Sequence, residues 1–396
     1  MEKHKLIDIA SVIRSKNSGP YELTFDVIFK DFETYGVKTM SVEYPDYISP
    51  VRVPVDTPDA IVDENGQCHF GTFKDTFKKL NLIDCVKPCG PRMPDFMKAS
   101  RITEWEAFEI HMKEGALVSA VYKTASMGFS IFVWFDKRTR KCLSWWNPTI
   151  PASRAKVASQ LVDDHCYHKT GKSEYEICND LLNGKAYAKG YSKGKCGTFE
   201  IDMHVTRISP PCVVSIPFGE NKPLYSEKDF LKAEGTITVN GETFTTDENS
   251  VGIIDDHKGY YPFKAHYDWL TTMGQIEIDG EMKNFAFNLT RNQSIDQDKY
   301  NENLIWLDGV SYPLPPVTFE KEGRYAKTWY IKDEHGCVDL RFEIDDVFYI
   351  IMHMLVIDSY YALPFGRIYG TVKDTNGKVY TLDGAIGIGE DKTTRM

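Results

Sequence analysis

Asx-Gly pairs limit what this chain can fold into, among them Asn65-Gly66, Asn240-Gly241, Asp279-Gly280, Asp308-Gly309 and Asn376-Gly377. Each is the preferred centre of a tight type I′ hairpin, because both residues tolerate positive φ. The flanks agree. Gly235-Thr-Ile-Thr-Val-Asn-Gly-Glu-Thr-Phe-Thr-Thr246 and Gly370-Thr-Val-Lys-Asp-Thr-Asn-Gly-Lys-Val-Tyr-Thr-Leu382 read as alternating strands about a central Asn-Gly. Aromatic residues make up 13% of the chain, and flat rings pack well on a pleated surface. From about residue 60 the chain therefore reads as mainly antiparallel β, in barrels or sandwiches. Three helices are expected to interrupt it, near 72–82, 153–163 and 226–233.

The first 57 residues have a different texture. Leu6, Ile9, Ala10 and Ile13 follow the i, i+3, i+4, i+7 spacing of an amphipathic helix over 4–16, and Asn17-Ser-Gly-Pro20 stops it. Pro45, Pro50, Pro54 and Pro58 mark an extended linker. Residues 1–40 are expected to form a helix-containing appendage that docks on the β body or on a partner subunit, with a homo-oligomer as one outcome. The expected domains are 1–57, 58–228 and 229–396.

Charge and composition narrow the partners. The net charge is −10, which disfavours nucleic acid and anionic membranes. The longest nearly apolar run, 347–357, is interrupted by His353 and falls short of the ~18 residues a span needs. The first residues lack a secretory h-region, so the nine cysteines read as reduced thiols in a cytoplasm. There is no P-loop, and Gly384-Ala-Ile-Gly-Ile-Gly389 has the wrong spacing for a dinucleotide fingerprint. His165-Cys-Tyr-His168 offers soft ligands with no fourth at zinc spacing, and Cys85 and Cys89 read as a loop pair. Neither cofactor nor metal is expected.

In Phe263-Lys-Ala-His-Tyr-Asp-Trp269, a strand would put Phe263, Ala265, Tyr267 and Trp269 on one face and Lys264, His266 and Asp268 on the other. His266 and Asp268 would then lie side by side, roughly 7 Å apart at Cα, as a usable general acid–base. The competing reading makes the polar three the wet face of an amphipathic strand. Asp255 stands between a catalytic carboxylate and hairpin chemistry, whereas Asp256 and His257, just before Gly259, read as hairpin residues. Glu302-Asn303 could grip a polar substrate group or cap a loop. His353, within an apolar run, reads as a core histidine or a cavity-facing proton carrier.

Landmarks in order along the chain carry a resemblance. They are Thr103-Glu-Trp-Glu106, Pro211 with Ser215-Ile-Pro-Phe218, Asp255-Asp-His-Lys-Gly259 with Pro262-Phe263 and Trp269, Asn288-Leu289, Glu302-Asn303 with Asp308-Gly309, Phe365-Gly366, and Gly387-x-x-Glu390-Asp391. With these, residues from about 58 to the end resemble a bacterial domain family of unknown function, related in fold to hydroxyneurosporene-synthase-type carotenoid hydratases and tocopherol cyclase. Two family Trp positions look like Tyr261 and Tyr267 here, which implies a more polar pocket. Residues from about 6 to 40 are similar to a small uncharacterised family that accompanies proteins of acyclic terpene utilisation.

The resemblance implies two lipocalin-like β halves packed together around an apolar cavity. It also implies a cofactor-independent lyase or isomerase that hydrates, dehydrates, isomerises or cyclises a hydrophobic small molecule. The expected catalytic residues are His266, Asp268 and Asp255. Tyr267, Lys264, Glu302, Asn303, Asn288, His353 and Trp269 are the expected substrate contacts. The alternative is a non-catalytic carrier or scaffold for an apolar ligand.

Overall fold

A computed structural model of the chain describes residues 25–27, 38–40, 52–353 and 358–395. The helix expected over 4–16 lies outside them. Three of these Asx-Gly pairs form the expected two-residue turns, with both residues at positive φ: Asn240-Gly241, Asp279-Gly280 and Asp308-Gly309. At Asn65-Gly66 and Asn376-Gly377 only the glycine is left-handed. There an upstream aspartate sets the turn. Asp63 Oδ1 accepts from the Asn65 and Gln67 amides, and Asp374 Oδ1 from those of Asn376 and Lys378.

These hairpins build two antiparallel sheets of fourteen and nine strands. At the heart of the first are β1 (Ile102–His111), β2 (Gly115–Lys123), β3 (Gly128–Asp136), β4 (Pro223–Val239) and β5 (Val251–Tyr260), hydrogen-bonded in the order β3-β2-β1-β5-β4. The second centres on β6 (Lys264–Ile278), β7 (Glu281–Arg291), β8 (Asp358–Lys373) and β9 (Val379–Arg395), in the order β7-β6-β9-β8. Each sheet curls on itself. In the first, Trp145 on the edge strand Lys141–Thr149 donates its indole N–H to Gly197 O at 3.0 Å. In the second, Lys321 on the far edge bonds Asp268 and Asp391 in the middle. The mainly antiparallel β expectation holds.

Period-two alternation sorts the apolar side chains into three cores. One fills the first curl, around Phe132, Trp145, Tyr175 and Phe199. A second fills the other curl, around Phe287, Trp329, Phe342 and Ile368. The third lies between the sheets, where Phe135 stacks on Phe365 at 5.4 Å. The barrel interiors are thus occupied by large side chains, and the space left for a ligand lies between the halves.

The three expected helices are corrected. Residues 72–82 hold the end of strand Gly71–Phe73 and the start of a 3-10 turn, Leu82–Asp84. Residues 153–163 hold a 3-10 turn and the short strand Ala155–Lys156. Residues 226–233, rich in helix formers, lie inside β4, paired to β5 on one side and, on the other, to strand Cys212–Pro217 over 226–228 and strand Gly197–Arg207 over 231–233. Pairing there overrides intrinsic preference. The change of sheet falls at 261–263, between β5 and β6, rather than at 228/229, which is inside β4.

Gly370 shows how closely the strands approach. Its φ is +120°, and a Cβ there would sit 2.1 Å from Asp339 O. Gly370→Ala is expected to cost roughly 1–3 kcal/mol through strain and overpacking. A urea midpoint equal to wild type would contradict this.

Candidate active site

The face of β5 that looks toward the second sheet carries Ile253, Asp255 and His257, and the opposite face carries Ile254, Asp256 and Lys258. The stretch read as a hairpin is the middle of a strand, buried along its whole length and paired to β1 and β4. Its neighbours complete a polar cluster. From β4 comes Lys228, whose side chain is 1% exposed, with Nζ 3.0 Å from Asp255 Oδ1, 2.7 Å from Glu302 Oε2 and 2.8 Å from His257 Nε2. Ser226 Oγ lies 2.8 Å from His257 Nε2 and donates to Glu302 Oε2 at 2.6 Å.

This is not a Ser-His-Asp relay. Ser226 and Asp255, 3.0 Å away, both meet the same imidazole nitrogen, whereas a relay needs one partner on each. His257 Nδ1 has no partner among the described residues, and the ring stacks on Trp105 at 4.5 Å and 9°. Burial works against ionisation of Asp255 and Glu302, but the Lys228 ammonium, then His257, holds both carboxyls below their usual range. Lys228 is desolvated too, yet Asp255 and Glu302 keep its pKa above that of an ordinary lysine.

Beside this cluster lies a cavity of about 230 Å³ between the sheets. Its wall is mostly apolar, with Val118, Ala120, Ile131 and Ile350, but three carboxyl groups reach it: Glu109, Asp255 and Glu390. Burial, with the Asp255 charge adding to it, pushes Glu109 well above the usual carboxyl range. Burial likewise raises Glu390, against hydrogen bonds from Tyr361 and Tyr267. The Tyr361 hydroxyl sits on Glu390 Oε1, and Glu109 Oε2 has no partner among the described residues. One carboxyl whose pKa is pushed down and two whose pKa is pushed up thus share one apolar space.

Residues 52–396 match the family described as a domain of unknown function, DUF2804. The chain belongs to the DUF2804 family. Residues 6–49 match a second domain of unknown function, DUF4387. No curated protein matches the sequence. Among solved structures, kievitone hydratase from Nectria haematococca superposes with a TM-score of 0.47 at 13% identity, covering 81% of this chain and 97% of that one. CghA with Sch210972 gives 0.46 at 8% identity, covering 86% and 98%.

In this DUF2804 member the expected site residues separate into three places. Asp255, Tyr267, Trp269 and Glu302 line the cavity or the small recess of about 20 Å³ that adjoins it. Asn288 and Asn303 are buried braces. Asn288 accepts from Trp269 Nε1 at 2.6 Å and donates to Glu302 O at 2.9 Å, and Asn303 links the Thr290 amide to Pro315 O. Lys264 is exposed. His353 is neither core nor cavity residue: it is 68% exposed and pairs with Asp358 at 2.8 Å.

His266 and Asp268 do meet, Nε2 to Oδ2 at 3.2 Å, but on the opposite face of β6 from Tyr267 and Trp269. His266 is 49% exposed and lines the small recess but not the larger cavity. Its hydrogen bond to Asp268 raises its pKa, against partial burial. His266, Asp268 and Asp391 are spaced to hold a cation, but the Lys321 ammonium already bonds both carboxylates. Of the strand's two faces, the one with Tyr267 and Trp269 looks into the space between the sheets, and the one with His266 and Asp268 continues into the core of the second curl.

Sequence reasoning missed Lys228, Ser226, His257, Glu109, Glu390, Tyr361 and Lys392. Glu390 and His257 had a signal, since they stand in the Gly387-x-x-Glu390-Asp391 and Asp255-Asp-His-Lys-Gly259 landmarks. The others lie on strands far apart in sequence and carried none.

Proposed function

We propose that this protein is a cofactor-independent lyase or isomerase that moves protons on an apolar small molecule held between its two sheets. One observation carries the reading: Glu390 and Asp255 line one apolar cavity, and their surroundings push the pKa of the first up and that of the second down. Titratable pairs pushed in opposite directions mark an acid and a base. Glu390, steadied by Tyr361, gives its proton to an alkene or enol carbon. Asp255, held by Lys228, takes a proton from an attacking water in a hydration, or from a neighbouring carbon in an isomerisation. The apolar wall excludes bulk water and strengthens the fixed dipoles. Glu109 is a second carboxyl with a raised pKa within the same wall. A carrier has no need to desolvate three carboxyl groups, so this wall favours catalysis over the carrier reading.

His266 and Asp268 are assigned to the rim, where with Lys321 and Asp391 they tie the edge of the second sheet to its middle. His266→Ala is expected to keep turnover within a few-fold of wild type. An abolished turnover would return the acid–base role to that pair.

The test is isotopic. The full chain in deuterated water is given apolar enones and prenyl-type alkenes that bind it, and products are read by mass spectrometry. Deuterium at carbon, or addition of water, is expected with wild type and is lost in Asp255→Asn. Bound compounds that come back unlabelled and unchanged would leave a carrier.

A further inference from the structure

Lys392 shares the inward face of β9 with Glu390 and Thr394, and all three line the cavity. Its Nζ sits over three rings, 4.6 Å from the centroid of Tyr122, 5.2 Å from Trp105 and 5.6 Å from Tyr267. It donates to the Tyr122 hydroxyl at 2.9 Å. Among the described residues no carboxylate comes within ion-pair distance of it, whereas the more deeply buried Lys228, Lys258 and Lys321 each hold one or two. Ring faces stabilise an ammonium by about 0.5–2 kcal/mol but do not use up its three donors. A half-buried ammonium with a single hydrogen-bond acceptor, facing an apolar space, suits an anionic oxygen.

We propose that Lys392, with Tyr122 beside it, anchors an anionic oxygen of the substrate. The ligand is then an apolar, ring-containing molecule that bears a carboxylate or an acidic enol or phenol. The inference rests on the proposed function for the place of binding. Stacked rings shape one wall, with Tyr122 on Phe129 at 4.7 Å and Trp105 on Tyr122 at 5.6 Å, and this suits a flat ligand. Lys392 and Glu390 alternate along one strand face, roughly 7 Å apart at Cα. The reacting carbon would therefore lie a few bonds from the anchored oxygen.

The experiment compares two probes of one shape, 2-naphthoate and the neutral 2-naphthylmethanol. Binding to the full chain is followed by tryptophan fluorescence, which Trp105 and Trp269 at the site report. Wild type is expected to prefer naphthoate by about 10- to 100-fold, the worth of a charge-assisted hydrogen bond. Lys392→Met should bring the two probes level by weakening naphthoate alone, and Lys392→Arg should keep the preference. Equal binding by wild type, a preference that survives in Lys392→Met, or no binding of either probe would overturn the proposal. The wild-type comparison stands whatever the variants do to folding. Loss of deuterium transfer with the naphthoate preference intact would reject the acid–base chemistry and leave the anchor.

Discussion

Glu390→Gln should lower turnover by about 10²–10⁴-fold, the usual worth of a positioned general acid, while the fold is kept. Glutamine has the same shape and can still accept from the Tyr361 hydroxyl that meets Oε1, but it has no proton to give. A second readout separates chemistry from packing. Burial raises the Glu390 pKa, with Asp255 adding to it, against the Tyr361 and Tyr267 hydrogen bonds. Wild-type activity should therefore fall as pH rises through that raised value, and the residual activity of the variant should lack this limb. Stability follows the same group. Between its unfolded and its raised folded pKa, the native state binds more protons than the unfolded state, so ionising Glu390 costs stability as pH rises. Glu390→Gln should flatten that slope. Turnover within a few-fold of wild type would remove Glu390 from the chemistry.

Lys228→Met should destabilise the protein by about 3–5 kcal/mol, the penalty for leaving buried charge without its partner. The ammonium touches Asp255 and Glu302, all three side chains being almost fully buried. Methionine fills a similar volume, so little of the loss is cavity. The pH dependence should reverse sign. In wild type both folded carboxyls lie below their usual values. Their contribution is complete above the unfolded carboxyl pKa, about 4, and is lost as pH falls through the folded values. Without Lys228, burial dominates and both folded values rise. The variant should then gain stability as pH falls from neutral toward 5, where wild type is flat for these groups. Adding Glu302→Gln should restore part of the loss. Urea unfolding at two pH values checks this, and a loss below about 1 kcal/mol would show that the cluster is solvated.

The sequence by itself determined the local architecture. Asx-Gly pairs and period-two alternation are properties of a few neighbouring residues, so they fixed the antiparallel class, three I′ hairpins and the meeting of His266 with Asp268. Alternation also showed that Lys264, His266 and Asp268 share a face. It could not show which face looks at the ligand, because a strand's two faces are exchanged by a choice made elsewhere. That choice came from the packing of one sheet on the other. It turned Tyr267 and Trp269 toward the cavity and gave Asp268 to Lys321. Residues 226–233 hid the central cation for a related reason. Their local preference is helical, and only pairing with β5 makes Lys228 the neighbour of Asp255. The site residues Glu109, Lys228, Asp255, Glu302 and Glu390 come from five separate stretches of the chain. Their nearness, and with it the opposite pKa shifts of Asp255 and Glu390, exists only once the two curled sheets have closed on each other and buried these groups.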